Sequence, residues 1–168
     1  MDKFGDLLEA EIPRLRRYAR VLTRDASRAD DLVQNCLLLA LTKCHLWQPG
    51  TNLRAWLFTI LHNQHVNDLR KARREGLTVP VEDVAPKLRQ AARQDGALQL
   101  RDLDRAIRQL PEGQRTALLL VGLEDMSYED AAKVLDIPVG TLRSRLFRGR
   151  EMLRELLDVK TTAPAEAV

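Results

Sequence analysis

Apolar residues recur at steps of three and four along most of the chain, and this spacing is that of amphipathic helices. Residues 4–22 show it first, with apolar side chains on one side of the predicted helix and basic groups between them. Pro13 interrupts the pattern and predicts either a kink or a fresh helix start. Residues 23–26 then have the composition of a turn.

The next segment has a strong amphipathic pattern. Ser27 and Asp30 have the spacing of a capping box, which predicts the start of a second helix. Its core-facing positions are Ala29, Leu32, Val33, Cys36, Leu37, Ala40, Leu41 and Cys44. The other face carries Asp30, Asp31 and Gln34. Leu38 widens the apolar surface beyond one stripe, which fits docking of a protein partner and packing within the chain equally well.

Residues 46–74 change character halfway along. A polar loop ends at Asn52, a good N-cap for a helix that begins near Leu53. Apolar residues surround the first half of this helix almost completely, which indicates burial. They are Leu53, Trp56, Leu57, Phe58, Ile60 and Leu61.

The second half of that helix has one narrow face of amides and guanidinium groups. With the indole of the first half, the face consists of Trp56, Asn63, Asn67, Arg70 and Arg74. Amides can bond base edges, an indole can stack on an unpaired base, and arginine can neutralise phosphate. The face therefore suits nucleic acid with partly exposed bases, while a solvated polar face is the alternative interpretation.

Beyond residue 75 the helical pattern fails and later resumes. Residues 76–98 carry two glycines, two prolines and mixed charges, which is typical of a linker. The fold class predicted is all-α, with two small helical domains at 1–75 and 99–158 joined by this flexible linker. Residues 159–168 form a tail that we predict to be disordered.

The second domain ends in a helix-turn-helix pattern. Before it, residues 114–121 form an apolar helix that Gly122 is predicted to close as a C′ residue. Ser127 and Asp130 then suggest another capping box, a turn follows at residues 136–137, and Pro138 suits N1 of the last helix. That helix directs outward Arg143, Ser144, Phe147, Arg148, Arg150 and Arg154. This face fits a reader of the DNA major groove, and a generic helical hairpin with surface arginines is the alternative.

Composition narrows the classes of function. The formal net charge is only +3 with 30% charged residues, so a basic surface has to come from local clustering. Cys36 and Cys44 form no CxxC pair and, with three histidines nearby, give no compact zinc pattern. The sequence shows no signal peptide, membrane span, catalytic dyad or phosphate loop. We therefore expect a cytoplasmic protein with free thiols that is not an enzyme and has no cofactor, metal or small-molecule substrate.

Two pairs of segments carry a family resemblance. The first pair is DDLVQNCLLLAL and LRAWLFTILHNQHVNDLRKARR, and the second is LPEGQRTALLL and MSYEDAAKVLDIPVGTLRSRLFRGREML. Together and in this order they resemble the two domains of bacterial extracytoplasmic-function (ECF) sigma factors, which are specificity subunits of RNA polymerase. The segments RLRRYARVLTRDASRADDLVQ and HLWQPGTNLRAWLFTILHN look most like the general-stress branch, whose members small anti-sigma proteins hold inactive.

The resemblance implies three binding surfaces and a set of partners. Core RNA polymerase would dock on Asp30, Asp31, Leu32 and Gln34, and the apolar Leu38 beside them is assigned to the same surface. The minus-10 promoter element would be captured and opened by residues 47–52 with Asn63 and Asn67, and the chemistry of the helix face adds Trp56, Arg70 and Arg74 to this site. The minus-35 element would be read by Arg143, Ser144, Phe147 and Arg148. An anti-sigma factor would be the regulatory partner.

Two positions depart from the family pattern, since Val121 stands where many members carry Arg and Gly149 where Ala is usual.

The main rival to a sigma factor is a sigma-like decoy, which would occupy an anti-sigma protein without touching DNA. A decoy has no reason to keep Asn63, Asn67, Arg143 and Arg148 together. A stand-alone helix-turn-helix regulator would need a ligand or receiver domain, and the sequence shows neither.

Overall fold

A computed structural model describes residues 3–76 and 94–162. All regular elements in these two ranges are helices, which confirms the all-α prediction. They are α1 (Lys3–Thr23), α2 (Ala26–Thr42), a 3-10 turn (Cys44–Leu46), α3 (Leu53–Arg74), α4 (Gln94–Gln109), α5 (Glu112–Leu118) with a π-helical turn (Leu119–Leu123), α6 (Tyr128–Leu135) and α7 (Val139–Thr162).

The helices belong to two compact units. The first contains α1, α2 and α3 together with Glu129–Asp136. The second contains α4, α5, the π-helical turn and α7. The helix α4 begins at Gln94, inside the range 76–98 that the sequence pattern assigned to the linker. The last helix continues to Thr162, past the predicted domain end at residue 158, and residues 163–168 of the predicted tail are also outside the description.

The core of the first unit is formed where α1 and α3 meet α2. The rings of Tyr18 and Phe58 are fully buried with their centroids 5.1 Å apart, a separation at which aromatic pairs attract. Cys36 of α2 is buried in the same core, and its thiol donates to the carbonyl of Leu57 at 3.5 Å. Burial raises the pKa of Cys36 to about 12, because the low-dielectric interior disfavours the thiolate.

The start of α2 differs from the sequence prediction. The carboxylate of Asp25 caps the helix by accepting from the backbone N–H groups of Ser27 and Arg28 at 2.9 and 3.1 Å. The capping box of Ser27 and Asp30 is therefore wrong, because Ser27 already lies inside the first turn. Arg24 takes φ of 54° just before the cap, which confirms the predicted turn between the two helices.

The helix α1 runs through Pro13 without a break, so the fresh helix start considered at this position is wrong. Pro13 is exposed, while Leu8 and Leu15 on either side of it are buried. A break in the helix at Pro13 would turn either Leu8 or Leu15 away from the core. The free energy gained by burying both leucines therefore outweighs the loss of the one backbone hydrogen bond that proline cannot make.

In the second unit one guanidinium group joins two helices. Arg115 of α5 donates to the carbonyls of Ile107, Arg108 and Leu110, at 3.2, 3.1 and 2.8 Å. These carbonyls lie at or just past the C-terminal end of α4, where the regular i to i+4 hydrogen bonds of the helix run out. Burial lowers the pKa of Arg115, and the nearby carboxylate of Glu112 opposes that shift.

The end of α5 also corrects a prediction. The backbone continues through Gly122 in a π-helical turn, and the N–H of Glu124 donates to the carbonyl of Leu119 at 3.1 Å. Asp125, with φ of 52°, takes the left-handed conformation that the sequence pattern assigned to Gly122. The turn before α7 follows the prediction, since Asp136 has φ of 53°. Pro138 precedes the helix by one residue, and its carbonyl accepts from the N–H of Leu142 at 3.1 Å.

No helix in the described part of the chain is long and apolar enough to cross a bilayer. Both cysteines are free thiols, with Cys36 buried and Cys44 exposed.

The cap at the start of α2 gives a stability prediction. Asp25→Ala should lower the free energy of unfolding by about 1 kcal/mol, within a range of roughly 0.5 to 2, because two backbone donors lose their acceptor. Ser27→Ala is the matched control and should change it by less than about 0.5 kcal/mol, since Ser27 is exposed and alanine is a good helix former. Urea unfolding of both variants measures the difference, and equal losses would contradict the cap assignment.

Candidate functional site

The loop between the 3-10 turn and α3 is ordered by its own backbone. The N–H and the hydroxyl of Thr51 both donate to the carbonyl of Gln48, at 3.1 and 2.6 Å. Gly50 follows Pro49 and has φ of 91°, a conformation that suits glycine at the third position of a type II turn. Residues 48–52 are all exposed, so this loop presents polar groups to solvent on a defined backbone.

The predicted cap of α3 is confirmed. The side-chain oxygen of Asn52 accepts from the N–H of Ala55 at 3.1 Å, and the helix begins at Leu53. The first half of α3 then enters the core with Leu57, Phe58 and Leu61 fully buried. The loop is thus fixed at one end by a helix whose rotation about its axis is set by packing.

The second half of α3 carries the polar face that the sequence predicted. Its four exposed residues, called the α3 face from here on, are Asn63, Asn67, Arg70 and Arg74. Within the described residues their side chains have no hydrogen-bond or ion-pair partner. At about 1.5 Å of rise per residue the α3 face is some 16 Å long, which leaves a row of free donors and acceptors along the second half of α3.

Trp56 belongs to the same predicted set but has a different environment. Its side chain is half-buried, and its ring lies edge-on to Phe4 with the centroids 6.4 Å apart. Phe4 also contacts Trp47, whose ring centroid is 5.4 Å away. The sequence pattern did not pair Phe4 with these tryptophans, because contacts between residues more than forty positions apart leave no periodic signal.

The exposed side of α2 forms a second candidate surface, and it corrects one predicted residue. Leu32 is only 2% exposed and packs in the core with Ala29, so it cannot contact a partner. Leu38 is 57% exposed and Leu41, which the pattern assigned to the core, is 53% exposed. The surface is called the α2 face and consists of the exposed residues Asp30, Asp31, Gln34, Leu38 and Leu41.

The α2 face is unusual because two large apolar side chains lie in solvent next to acidic groups. Gln34, Leu38 and Leu41 follow at helical steps of four and three, so they share one side of the helix. Because Leu38 and Leu41 are more than half exposed, packing within the first unit does not account for an apolar residue at either position. Of the two interpretations of Leu38, packing within the chain is therefore excluded, and Leu38 lies at the surface.

The third surface lies on α7. It is called the α7 face and consists of Arg143, Ser144, Phe147 and Arg148, all exposed, with Phe147 at 66%. Leu142 and Leu146 are fully buried on the opposite side and fix the direction of this face.

A cleft of about 400 Å³ adjoins the α7 face. Its lining includes Tyr128, Arg143, Phe147, Arg150 and Arg154. The guanidinium group of Arg143 lies 6.0 Å from the centre of the Tyr128 ring, at the edge of the range for a cation–π contact. The cleft therefore combines three guanidinium groups and two aromatic rings with one carboxylate, that of Glu151, and its net positive charge suits an anionic and partly aromatic ligand such as DNA.

The charges on α7 remain available to a ligand. Arg154 is paired with Glu151 at 3.7 Å, but both side chains are well exposed and such a pair contributes little. Arg143, Arg148 and Arg150 form no ion pair within residues 94–162 or 3–76. The sequence could find this face because the helix is long and its buried leucines recur regularly.

Gly149, noted above as a departure from the family pattern, lies where α7 approaches α5. A Cβ atom placed on it would be 2.8 Å from the Cδ1 atom of Leu118, which is closer than packed carbon atoms come. Glycine at this position therefore lets α7 pack closely behind its exposed face.

Comparison with known families places the α2 face and the α7 face within two recognised domains. A family model for the sigma2 domain of PhyR matches residues 8–62, and a model for region 4 of sigma-70 matches residues 100–153. The chain is 45% identical over 162 residues to the ECF RNA polymerase sigma factor EcfG of Rhodopseudomonas palustris, covering 94% of this chain and 87% of that protein. It is 35% identical to the ECF RNA polymerase sigma-E factor of Haemophilus influenzae, over 82% and 79% of the two chains.

Two solved structures extend the likeness to three dimensions. The sigma factor RpoE of Bartonella quintana, solved with the anti-sigma factor NepR, is similar with a TM-score of 0.80 and 38% identity, over 95% of this chain and 99% of that one. CnrH, solved with the cytosolic domain of CnrY, gives a TM-score of 0.68 at 26% identity, over 93% and 88%.

Proposed function

Because this chain belongs to the ECF family of RNA polymerase sigma factors, we propose that its three exposed faces divide the work of promoter recognition. The α2 face docks on core RNA polymerase, the α3 face with the loop before it captures and opens the minus-10 element, and the α7 face reads the minus-35 element. The protein acts by binding and strand opening, without covalent chemistry, in the cytoplasm where polymerase and promoters are found.

The observation that carries the proposal is the α3 face. Asn63 and Asn67 are one helical turn apart, exposed and without a partner in the described chain, on the helix that follows a loop ordered by its own backbone. Amide groups on a fixed helix face and without internal partners can bond the edge of a base, provided that the base has left its stack. Arg70 and Arg74 continue the face and suit the phosphates of the same strand.

The docking role of the α2 face is supported by its composition. Interfaces between proteins are centred on apolar side chains and surrounded by polar ones. Leu38 and Leu41 give such a centre, and Asp30, Asp31 and Gln34 give a polar margin. The correction of Leu32 to a core residue leaves this argument intact, because Leu41 takes its place on the exposed side.

An anti-sigma protein is the proposed regulatory partner. A solved structure with a similar fold and 38% identity is the sigma factor RpoE in complex with the anti-sigma factor NepR, which is consistent with the general-stress branch, and CnrH, at 26% identity, was solved with the cytosolic domain of CnrY. An inhibitor that covers the α2 face would exclude core polymerase directly.

The decoy alternative is disfavoured by the same side chains. A decoy needs only the surface that its anti-sigma protein contacts, so neither the α3 face nor the α7 face would have to remain free of internal partners. Run-off transcription with core polymerase on a promoter library separates the two functions. A protein that binds core polymerase but never directs a start site would favour the decoy.

Asn63→Ala should slow promoter opening by roughly 5- to 150-fold, because base contacts of this kind are worth about 1 to 3 kcal/mol. Affinity for core polymerase should stay the same, since the α2 face lies on another helix. A promoter with a pre-melted bubble should restore part of the transcription. Gln64→Ala is the matched control, because Gln64 points off the face and donates to Asp68 at 3.2 Å. Normal opening by Asn63→Ala, or an equal loss of core binding, would refute the role of the α3 face.

Arg148→Ala should weaken binding to minus-35 duplex DNA by about 1 to 3 kcal/mol and relax the preference at one base pair. Fluorescence anisotropy at fixed salt, with a set of singly altered duplexes, measures both effects. Arg105→Ala removes the same charge from an exposed site on α4 and should leave the affinity nearly unchanged. A uniform loss across all sequences would assign Arg148 to a phosphate instead, and an unchanged affinity would remove it from the site.

Leu38→Asp should weaken binding to core polymerase by at least about tenfold, because it places a charge at the centre of an apolar contact. Its stability should change little, since the side chain is already in solvent. Leu7→Asp is the control, as Leu7 is an exposed leucine on α1. An anti-sigma protein that covers the α2 face should compete with core polymerase and lose affinity for the same variant. Full core affinity of Leu38→Asp would place the docking surface elsewhere.

A further inference from the structure

The N-terminal part of α1 contacts both ends of the loop that precedes α3. Phe4 lies against Trp47, which precedes the loop, and against Trp56, which follows it in the first turn of α3. The centroid distances of 5.4 and 6.4 Å and the tilted and edge-on ring angles are those of attractive aromatic pairs. One side chain from a distant part of the sequence therefore bridges the loop.

A second contact ties the same two helices together. The guanidinium group of Arg54 donates to both carboxylate oxygens of Glu11, at 2.9 and 3.1 Å, in a bidentate arrangement. Glu11 follows Phe4 by two helical turns, so both side chains lie on the side of α1 that meets α3. Because this pair and the contact of Tyr18 with Phe58 join the two helices without Phe4, loss of the Phe4 ring should loosen the loop and leave the unit folded.

Trp47 depends on ring packing for its position. Its indole N–H is buried, and no residue that the structure describes accepts a hydrogen bond from it. A hydrogen bond would fix the direction of the indole, and here that constraint is missing. The contact with Phe4 is the one ring contact that orients Trp47 within residues 3–76.

We infer that Phe4 is a positioning residue for the capture of the minus-10 strand. It holds Trp47 and Trp56 so that the loop and the α3 face meet the same unstacked base. The inference rests on the proposed function of the α3 face and adds to it a residue of α1 that does not itself touch DNA.

The test uses holoenzyme reconstituted from this protein and core polymerase. The probe is a fluorescent single-stranded oligonucleotide with the non-template minus-10 sequence of a promoter that the holoenzyme transcribes. Phe4→Leu keeps the apolar contact but removes the ring, and it should weaken oligonucleotide binding about 2- to 10-fold. Phe4→Tyr keeps the ring and should bind within about twofold of the natural protein. Leu7→Ala, on the same helix, should leave binding unchanged.

Affinity for minus-35 duplex DNA and the urea midpoint are measured for every variant as readouts of general damage. The positioning role is overturned if Phe4→Leu binds the oligonucleotide normally, if Phe4→Tyr loses as much as Phe4→Leu, or if minus-35 affinity falls in parallel. Asn63→Ala is measured in the same assay to keep the two claims apart. A loss for Asn63→Ala without a loss for Phe4→Leu overturns the role of Phe4 alone, whereas normal binding by Asn63→Ala overturns the proposed function and the inference with it.

Discussion

The packing of α3 against α1 and α2 is the constraint on which the first unit depends. Leu57, Phe58 and Leu61 are fully buried, so the rotation of α3 about its axis is fixed by its first half. A continuous helix of 22 residues, about 33 Å long, carries that rotation to its far end. The direction of Asn63, Asn67 and the arginines beyond them is therefore decided by hydrophobic contacts that no ligand touches.

The second unit uses the same principle with different parts. Leu142 and Leu146 face the core and turn Phe147 and Arg148 outward, and Gly149 allows α7 to approach α5 closely. The positive charge that results is local, since the whole chain has a net charge of only +3. Contacts with phosphate release counterions and weaken as salt rises, so a protein with little excess charge depends on the placement of each arginine more than on their number.

The sequence predicted well the features that repeat along a helix and poorly those that depend on a single position. Buried stripes, the cap at Asn52 and the exposed faces of α3 and α7 follow from spacing, and the structure has them where the pattern places them. The cap at Asp25 was missed because Ser27 and Asp30 also satisfy the spacing of a capping box, and only backbone geometry separates the two choices. Leu41 was assigned to the core because the apolar residues of α2 cover more than half its circumference. The spacing of Leu32 placed it in the core correctly, and only the family resemblance assigned it to the docking surface. Phe4 and Glu11 act across separations of more than forty residues, where a single sequence carries no signal. Arg115 bonds carbonyls only five to eight residues away, but backbone acceptors at the end of a helix leave no mark in the residue pattern.

The burial of Cys36 has a consequence for how the protein meets oxidants. Peroxides and disulfides react with thiolates, and a thiol whose pKa is raised to about 12 is almost entirely protonated near neutral pH. Cys36 is also held in the core with its sulfur against the carbonyl of Leu57, out of reach of small reagents in solution. The exposed Cys44 is the thiol that oxidants can reach first, and it lies in the 3-10 turn rather than among the contacts that hold α1, α2 and α3 together. Oxidants should therefore modify the Cys44 thiol at the surface before they react with Cys36 in the core.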